Sequence, residues 1–146
     1  MRILLAGIMQ GSKCADGIHA QDYRSRLTRV LNESLPEADV YDPYAAHNGS
    51  IAYSNDRGRS VFFGHNAMCR EMDVILAFLP EASMGTAIEM WEGWQHGAVV
   101  IAVSPMTTNW IVRFLTHKVY DSLETLEQAI RSGEFTEIVR QNRPSA

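Results

Sequence analysis

Residues 73–89 read DVILAFLPEASMGTAIE, and this stretch decides the fold class of the chain. It begins with an apolar run over residues 74–79, bounded by an aspartate and a proline, which predicts a short strand buried on both faces. A polar loop with one glycine follows, and a helical pattern then covers residues 86–96. A buried strand that turns through a loop into a helix is the repeating unit of parallel α/β sheets.

The same alternation of short apolar runs and helix-length amphipathic segments extends along the chain. Strands are predicted at residues 3–8, 38–41, 74–79, 98–103 and 119–120. Helices are predicted at residues 20–35, 54–72, 86–96 and 107–116, with one or two more from residue 121, and residues 43–53 are predicted as a loop. We therefore expect one α/β domain over residues 1–146, with a doubly wound, Rossmann-like or flavodoxin-like sheet of about five mostly parallel strands.

Composition and charge argue against several classes of function. The net charge of −4 and the lack of a basic run disfavour a nucleic-acid polymer as partner. No segment approaches the roughly 20 apolar residues that span a membrane. Cys14 and Cys69 form no CxxC pair, which is typical of thiols in a reducing cytoplasm. Glu92 and His96 have i, i+4 spacing but no third ligand, so we expect neither a metal nor an organic cofactor.

The loop after the third predicted strand carries the strongest candidate site. Ligands of parallel sheets bind at the carboxyl ends of strands, where loops lead into helices. Gly85 allows the backbone to approach a ligand, and the amides from Gly85 and Thr86 onward point out of the helix start and attract a phosphate. Ser83 adds a hydroxyl donor. Glu89 is placed in the first helical turn, where a carboxylate can act as nucleophile or stabilise an oxocarbenium-like centre.

A structural alternative explains part of the same pattern. Thr86-x-x-Glu89 matches a capping box, in which Glu89 hydrogen-bonds back to the start of its own helix. Spacing alone does not separate a capping glutamate from a catalytic one.

The wider pattern resembles the nucleoside 2-deoxyribosyltransferase-like superfamily. The resemblance rests on residues 73–78 followed by Ser83-x-Gly85-Thr86-x-x-Glu89, on Ala6-Gly7 at the end of the first strand, and on residues 97–100 before the fourth. It covers most of the chain and is densest over residues 73–100.

The resemblance implies a reaction at a sugar C1′ carbon. Glu89 matches the nucleophile of that superfamily or its equivalent, and Ser83 matches the residue that contacts the 5′ end of the ligand. Transferases acting on free nucleosides typically carry an acid there, whereas the nucleotide N-hydrolases carry a serine, which does not repel a phosphate. The resemblance therefore implies an enzyme that hydrolyses a nucleoside 5′-monophosphate to free base and sugar phosphate, working as a homodimer.

Two departures from the superfamily pattern keep other functions open. The tyrosine that often lies in the first strand near the nucleophile falls near Leu4, which cannot hydrogen-bond. The aspartate before the third strand, which contacts the sugar or base in that superfamily, falls near His65 or Asn66. His65 can take over part of that role, because an imidazole donates or accepts near neutral pH; the alternative is a surface or satisfied core histidine. Base exchange between deoxynucleosides and a non-catalytic nucleotide-binding or sensing module are the alternative functions.

The loop after the first strand matches a second ligand-binding loop of the superfamily. The predicted contacts there are Gly7, Gln10, Gly11 and Ser12. The alternative is a polar turn with no ligand. Lys13 or Arg24 can add charge for a phosphate, unless both are simply solvated on the outer face of the structure.

Three further groups complete the candidates. Asn109 matches a region that reaches the neighbour's site in related dimers, and the alternative makes it a helix cap with Trp110 in the core. Trp91 and Trp94 favour core or dimer packing over base stacking. The candidate rim for a base is Tyr41, Tyr44, His47 and Tyr53.

Overall fold

Five parallel strands form one sheet in the computed structural model, which describes residues 1–11, 13 and 17–143. They are β1 (Arg2–Gly7), β2 (Asp39–Tyr41), β3 (Val74–Phe78), β4 (Val99–Val103) and β5 (Lys118–Tyr120). Their order is β2-β1-β3-β4-β5, and every neighbouring pair is parallel. The predicted α/β fold with a doubly wound parallel sheet is confirmed.

Helices cover both faces of this sheet. They are α1 (Asp22–Ser34), α2 (Pro43–Ala46), α3 (Asn55–Cys69), α4 (Met84–Gln95), α5 (Trp110–Leu115), α6 (Leu123–Ser132) and α7 (Glu134–Asn142), with a 3₁₀ turn at Ser50–Ala52. Alternate strand residues point to opposite faces, so one core packs under α1, α6 and α7 and the other under α3, α4 and α5. No described helix is long and apolar enough to cross a membrane.

The segment after β2 is more regular than the sequence predicts. Residues 43–53 contain α2 and the 3₁₀ turn, so the loop prediction is wrong there. Asp42 caps α2 by accepting a hydrogen bond from the Tyr44 amide at 2.9 Å, and Pro43 stands at the first helical position, where its fixed φ suits the helix. A four-residue helix is too short to show a hydrophobic period, which explains the miss.

Arg24 lies in the interior, not on a solvated outer face. Only 1% of its surface is exposed, and its guanidinium donates to the carbonyls of Leu5 (2.8 Å) and Gly7 (3.2 Å) and to the Asp42 carboxylate (3.0 Å). The register pairs Arg2–Leu4 of β1 with β2, so the last residues of β1 extend beyond that neighbour. Arg24 supplies the donors that a longer β2 would have given, and thereby fixes the end of β1.

Candidate active site

The loops after β1 and β3 leave the sheet side by side. Gly7 is in register with Phe78, so both strands end at the same level. The loop after β3 then leads directly into α4, which packs on β1, β3 and β4. Because the carboxyl ends of parallel strands share one edge, the two predicted ligand loops form one cleft.

Ser83 is the N-cap of α4. This corrects the predicted position of Glu89 in the first helical turn and the capping-box interpretation of Thr86 and Glu89. Its Oγ accepts hydrogen bonds from the Thr86 amide (3.3 Å) and the Thr86 hydroxyl (2.9 Å), and the helix begins at Met84. Glu89 is therefore the sixth residue of α4 and lies in its second turn. The capping-box interpretation of Thr86 and Glu89 is wrong, because Thr86 is the third helical residue and not the cap.

The cleft has two connected lobes. A polar lobe of about 240 Å³ is lined by Gly7, Met9, Gln10, Gly11, Ser83, Met84, Gly85, Thr86 and Glu89. An aromatic lobe of about 420 Å³ has among its lining residues Tyr44, His47, Tyr53, Phe62, His65 and Asn66. Met9, Gln10, Gly85 and Glu89 line both. Glu89 therefore lies where the lobes join.

The Glu89 side chain is half-buried and forms no ion pair with the described residues. No described residue gives its carboxylate a hydrogen bond or an ion-pair partner within 4 Å. Burial raises the pKa of Glu89 to about 7, and the charge of Arg24 acts in the opposite direction. A carboxyl group in a cleft whose pKa is raised to near neutral pH is common among catalytic residues.

Glycines shape the floor of the polar lobe. Gly11 has a φ of 57°, and a Cβ there would come within 2.7 Å of Ile8 Cδ1 and 3.0 Å of His19 Nε2. A Cβ on Gly7 would lie 2.1 Å from the Tyr23 hydroxyl. At Gly85 a Cβ would meet nothing within 4 Å, so this position is open to the cleft. The first two glycines are required by packing, while Gly85 leaves room for a ligand.

The remaining predicted residues of this loop have separate outcomes. Gln10 lines both lobes. Ser12 and Cys14 lie outside the described residues. Lys13 is exposed and its Nζ donates to the Ile18 carbonyl at 2.9 Å, which ties the loop to itself.

His65 lines the aromatic lobe together with Glu89. Its Nε2 is 3.0 Å from the Tyr41 hydroxyl, and its ring stands edge-on to His47, with ring centroids 5.1 Å apart. Burial, and after it the neighbouring His47, lower the pKa of His65, so the ring is neutral at neutral pH. Tyr41, predicted as part of a rim, lies behind His65 rather than on the lobe surface.

Asn109 lies apart from Glu89. Its side chain caps α5 by accepting from the Ile111 amide at 2.9 Å. It lines a groove of about 320 Å³ between α4 and α5, which adjoins the polar lobe at Gly11, Ser83 and Met84. The cap alternative for Asn109 is confirmed. Trp110 is 75% exposed, so its predicted place in the core is wrong, because the six-residue α5 turns Val112 and Leu115 inward instead.

Trp91 and Trp94 also lie on the surface. Their rings stack with centroids 5.5 Å apart and an interplanar angle of 18°, and both are more than two-fifths exposed. Core packing is therefore wrong for this pair, whereas a role in dimer contact stays a prediction.

No group of three or more potential metal ligands occurs in the described part of the chain. Glu92 pairs with Arg70 at 2.9 Å, and His96 Nδ1 is 2.8 Å from the Glu92 carbonyl. Both residues of the weak metal pattern thus have structural contacts.

Seven of the ten site residues that the sequence predicts line the polar lobe. Sequence reasoning missed the burial of Arg24 and the link between Tyr41 and His65. Arg24 is one of three arginines in α1, and nothing in the helical pattern marks it as the buried one. A contact across 24 residues leaves no spacing pattern either.

Comparison with known proteins places the fold. No protein-family model matches the chain, and no curated protein sequence matches it. A 2-deoxyribosyltransferase from Bacillus psychrosaccharolyticus superposes with a TM-score of 0.70 at 16% identity over 100% of both chains. A conserved protein from Enterococcus faecalis V583 gives 0.63 at 18% identity, over 90% of this chain and 98% of its own.

A third solved structure, a CMP N-glycosidase from Clostridium botulinum, gives a TM-score of 0.52 at 18% identity, over 91% of this chain and 99% of its own. Likeness at these identities concerns the fold. The chain shares its α/β fold with these three structures, one a 2-deoxyribosyltransferase and one a CMP N-glycosidase.

Proposed function

We propose that this protein is a nucleoside-processing enzyme that hydrolyses the N-glycosidic bond of a nucleoside 5′-monophosphate. The observation that carries the proposal is the position of Glu89 at the junction of a polar and an aromatic lobe. A nucleotide has the same order of parts, with its C1′ carbon between the phosphate-bearing sugar and the base.

The polar lobe suits the phosphate. The twelve-residue α4 points its N-terminus into this lobe, where free amides and the helix dipole favour an anion. Ser83 Oγ accepts two bonds from Thr86 and keeps its own proton to donate to a phosphate oxygen. The open position at Gly85 allows the ligand to reach these groups.

Glu89 would act on C1′. In the proposed reaction its carboxylate attacks C1′, the C1′–N bond breaks, and the electron pair leaves with the base, which takes up a proton. Water then cleaves the glycosyl ester, so that nucleotide and water give free base and sugar 5-phosphate. His65, on the same lobe, is the proposed second catalytic group. The reaction calls for no metal or organic cofactor.

Base release from a panel of ribo- and deoxyribonucleoside 5′-monophosphates tests the proposal. We expect free base from at least one nucleotide, and a loss of at least 100-fold in kcat for Glu89→Gln, which keeps the shape but not the charge. Glu92→Gln is the matched control, because Glu92 lies on the same helix but pairs with Arg70 outside the cleft. Release that requires an added acceptor base would favour base exchange. Nucleotide binding without release across the panel would favour a sensing module and overturn the hydrolase.

We also propose that the protein works as a homodimer. The support is a face of exposed aromatic side chains on α4 and α5, including Trp91, Trp94 and Trp110. Asn109 stands at the start of α5 beside these side chains, so in the dimer it would contact the partner chain.

A further inference from the structure

Four side chains form a ladder along the wall of the aromatic lobe. The Tyr41 hydroxyl lies 3.0 Å from His65 Nε2, and the Tyr53 hydroxyl lies 3.1 Å from His47 Nδ1. The two imidazoles meet edge to face with centroids 5.1 Å apart. Each histidine thus uses one ring nitrogen on a tyrosine and has a second nitrogen for another partner.

Asn66 lies beside this ladder with an unused side chain. It is nine-tenths buried and lines the same lobe as His47 and His65. Among the described residues its carboxamide has no hydrogen-bond partner. Its polar atoms stay accessible from the lobe, because the Tyr23 hydroxyl is the only enclosed side-chain polar atom without a partner among the described residues. The carboxamide is therefore available to a ligand in the lobe.

We propose that His47, His65 and Asn66 recognise the edge of the base, and that Tyr41 and Tyr53 are positioning residues that hold the two imidazoles. The inference rests on the proposed function and names the part of the cleft that distinguishes bases. It follows from the chemistry of the wall, because a base offers adjacent donors and acceptors in one plane.

The wall can match such an edge. A carboxamide presents a donor and an acceptor side by side and pairs in bidentate fashion with a base edge. A neutral imidazole presents one donor and one acceptor, and the orientation of the tyrosine hydroxyl decides which of them faces the lobe. Neither tyrosine hydroxyl needs to touch the base, since each acts through its histidine.

Calorimetric titration separates base recognition from phosphate recognition. Nucleoside 5′-monophosphates and ribose 5-phosphate, which lacks a base, are titrated into the catalytically inactive Glu89→Gln protein. We expect Asn66→Ala, Tyr41→Phe and Tyr53→Phe each to weaken nucleotide binding about tenfold and to leave the affinity for ribose 5-phosphate unchanged. Tyr120→Phe is the matched control, because its hydroxyl bonds to Glu134 away from the cleft.

Each outcome decides the inference. Equal weakening of both ligands would mean that the ladder only supports the cleft, and would overturn it. Unchanged nucleotide affinity in all three variants would overturn it as well, while leaving the proposed hydrolase intact. Failure of every nucleotide to bind the protein with Glu89 intact would overturn the proposed function and this inference together. With active protein, Tyr53→Phe, which acts through His47 and not through His65, should raise KM more than it lowers kcat.

Discussion

Glu89 illustrates the conflict between stability and reactivity within one residue. Burial raises the pKa of its carboxyl group to about 7, and the positive charge of the buried Arg24 only partly opposes this shift. A carboxyl group with a raised pKa favours the folded state at low pH, and this contribution is lost as the pH rises through 7. At neutral pH the protein thus carries the charged form at some expense of folding free energy, which is typical of a functional group.

Activity should depend on the ionised form of Glu89. We expect kcat/KM for the nucleotide substrate to rise about tenfold per pH unit from pH 5 to about pH 7 and then to level off. Initial rates of base release across this range measure the profile. His65 titrates in the same lobe, so the profile is repeated in His65→Gln, where the limb near pH 7 should persist. A flat profile in both proteins would contradict the role of Glu89.

Tyr23 and Gly7 should depend on each other. The Tyr23 hydroxyl is buried without a hydrogen-bond partner among the described residues and fills the space where a Gly7 side chain would lie. We expect Gly7→Ala to destabilise by about 2 kcal/mol and Tyr23→Phe to be neutral or slightly stabilising. The double variant should recover more than half of the loss, because the clashing oxygen is gone.

Urea unfolding of the single and double variants measures this coupling. Gly64→Ala is the matched control, since a Cβ there meets nothing within 4 Å on α3, and it should be neutral or stabilising. Strictly additive effects of the two substitutions would contradict the contact.

At the scale of elements, the sequence predicts the strands better than the helix starts. β3 and β4 are continuous apolar runs buried by helices on both faces, so their residues show the pattern directly. The sequence places the start of α4 two residues too late, because Ser83 and Thr86 can both cap a helix and only the three-dimensional contact decides between them. The lobe of His65 depends on Tyr41 and on the turns after β2, which no local pattern encodes.

Ser83 joins the stability of α4 to the choice of ligand. Aspartate is as good a cap as serine, so Ser83→Asp should keep the free energy of unfolding within about 0.5 kcal/mol. Its negative charge would repel a phosphate, so we expect activity on nucleotides to fall at least tenfold, without a loss of affinity for nucleosides that lack the phosphate.

Thermal unfolding and base release with matched nucleotide and nucleoside pairs test this separation. Ser122→Asp, a substitution at the cap of α6 far from the cleft, should change neither property. Equal activity of Ser83→Asp on nucleotides would remove the phosphate role assigned to Ser83.

The exposed apolar side chains of the molecule are concentrated on the three helices that cover one face of the sheet. Nine exposed apolar side chains lie on α3, α4 and α5: Phe62, Phe63, Met84, Ile88, Trp91, Trp94, Trp110, Ile111 and Phe114. With full side-chain areas of roughly 150–250 Å², their exposed parts come to the order of 1,000 Å². A stable dimer buries about 800 Å² on each partner, so these three helices carry enough exposed apolar area for such an interface.

A second copy of the chain suits this surface best. The chain as a whole is acidic, which disfavours an anionic membrane as the alternative partner. We therefore expect a dimer at micromolar concentration in sedimentation velocity. Trp110→Lys, at the most exposed tryptophan, should shift the protein to a monomer with its free energy of unfolding per chain otherwise unchanged. Gln128→Lys, an exposed substitution of α6 on the opposite face, should leave the dimer intact, and a monomeric unmodified protein would refute this assignment of the surface.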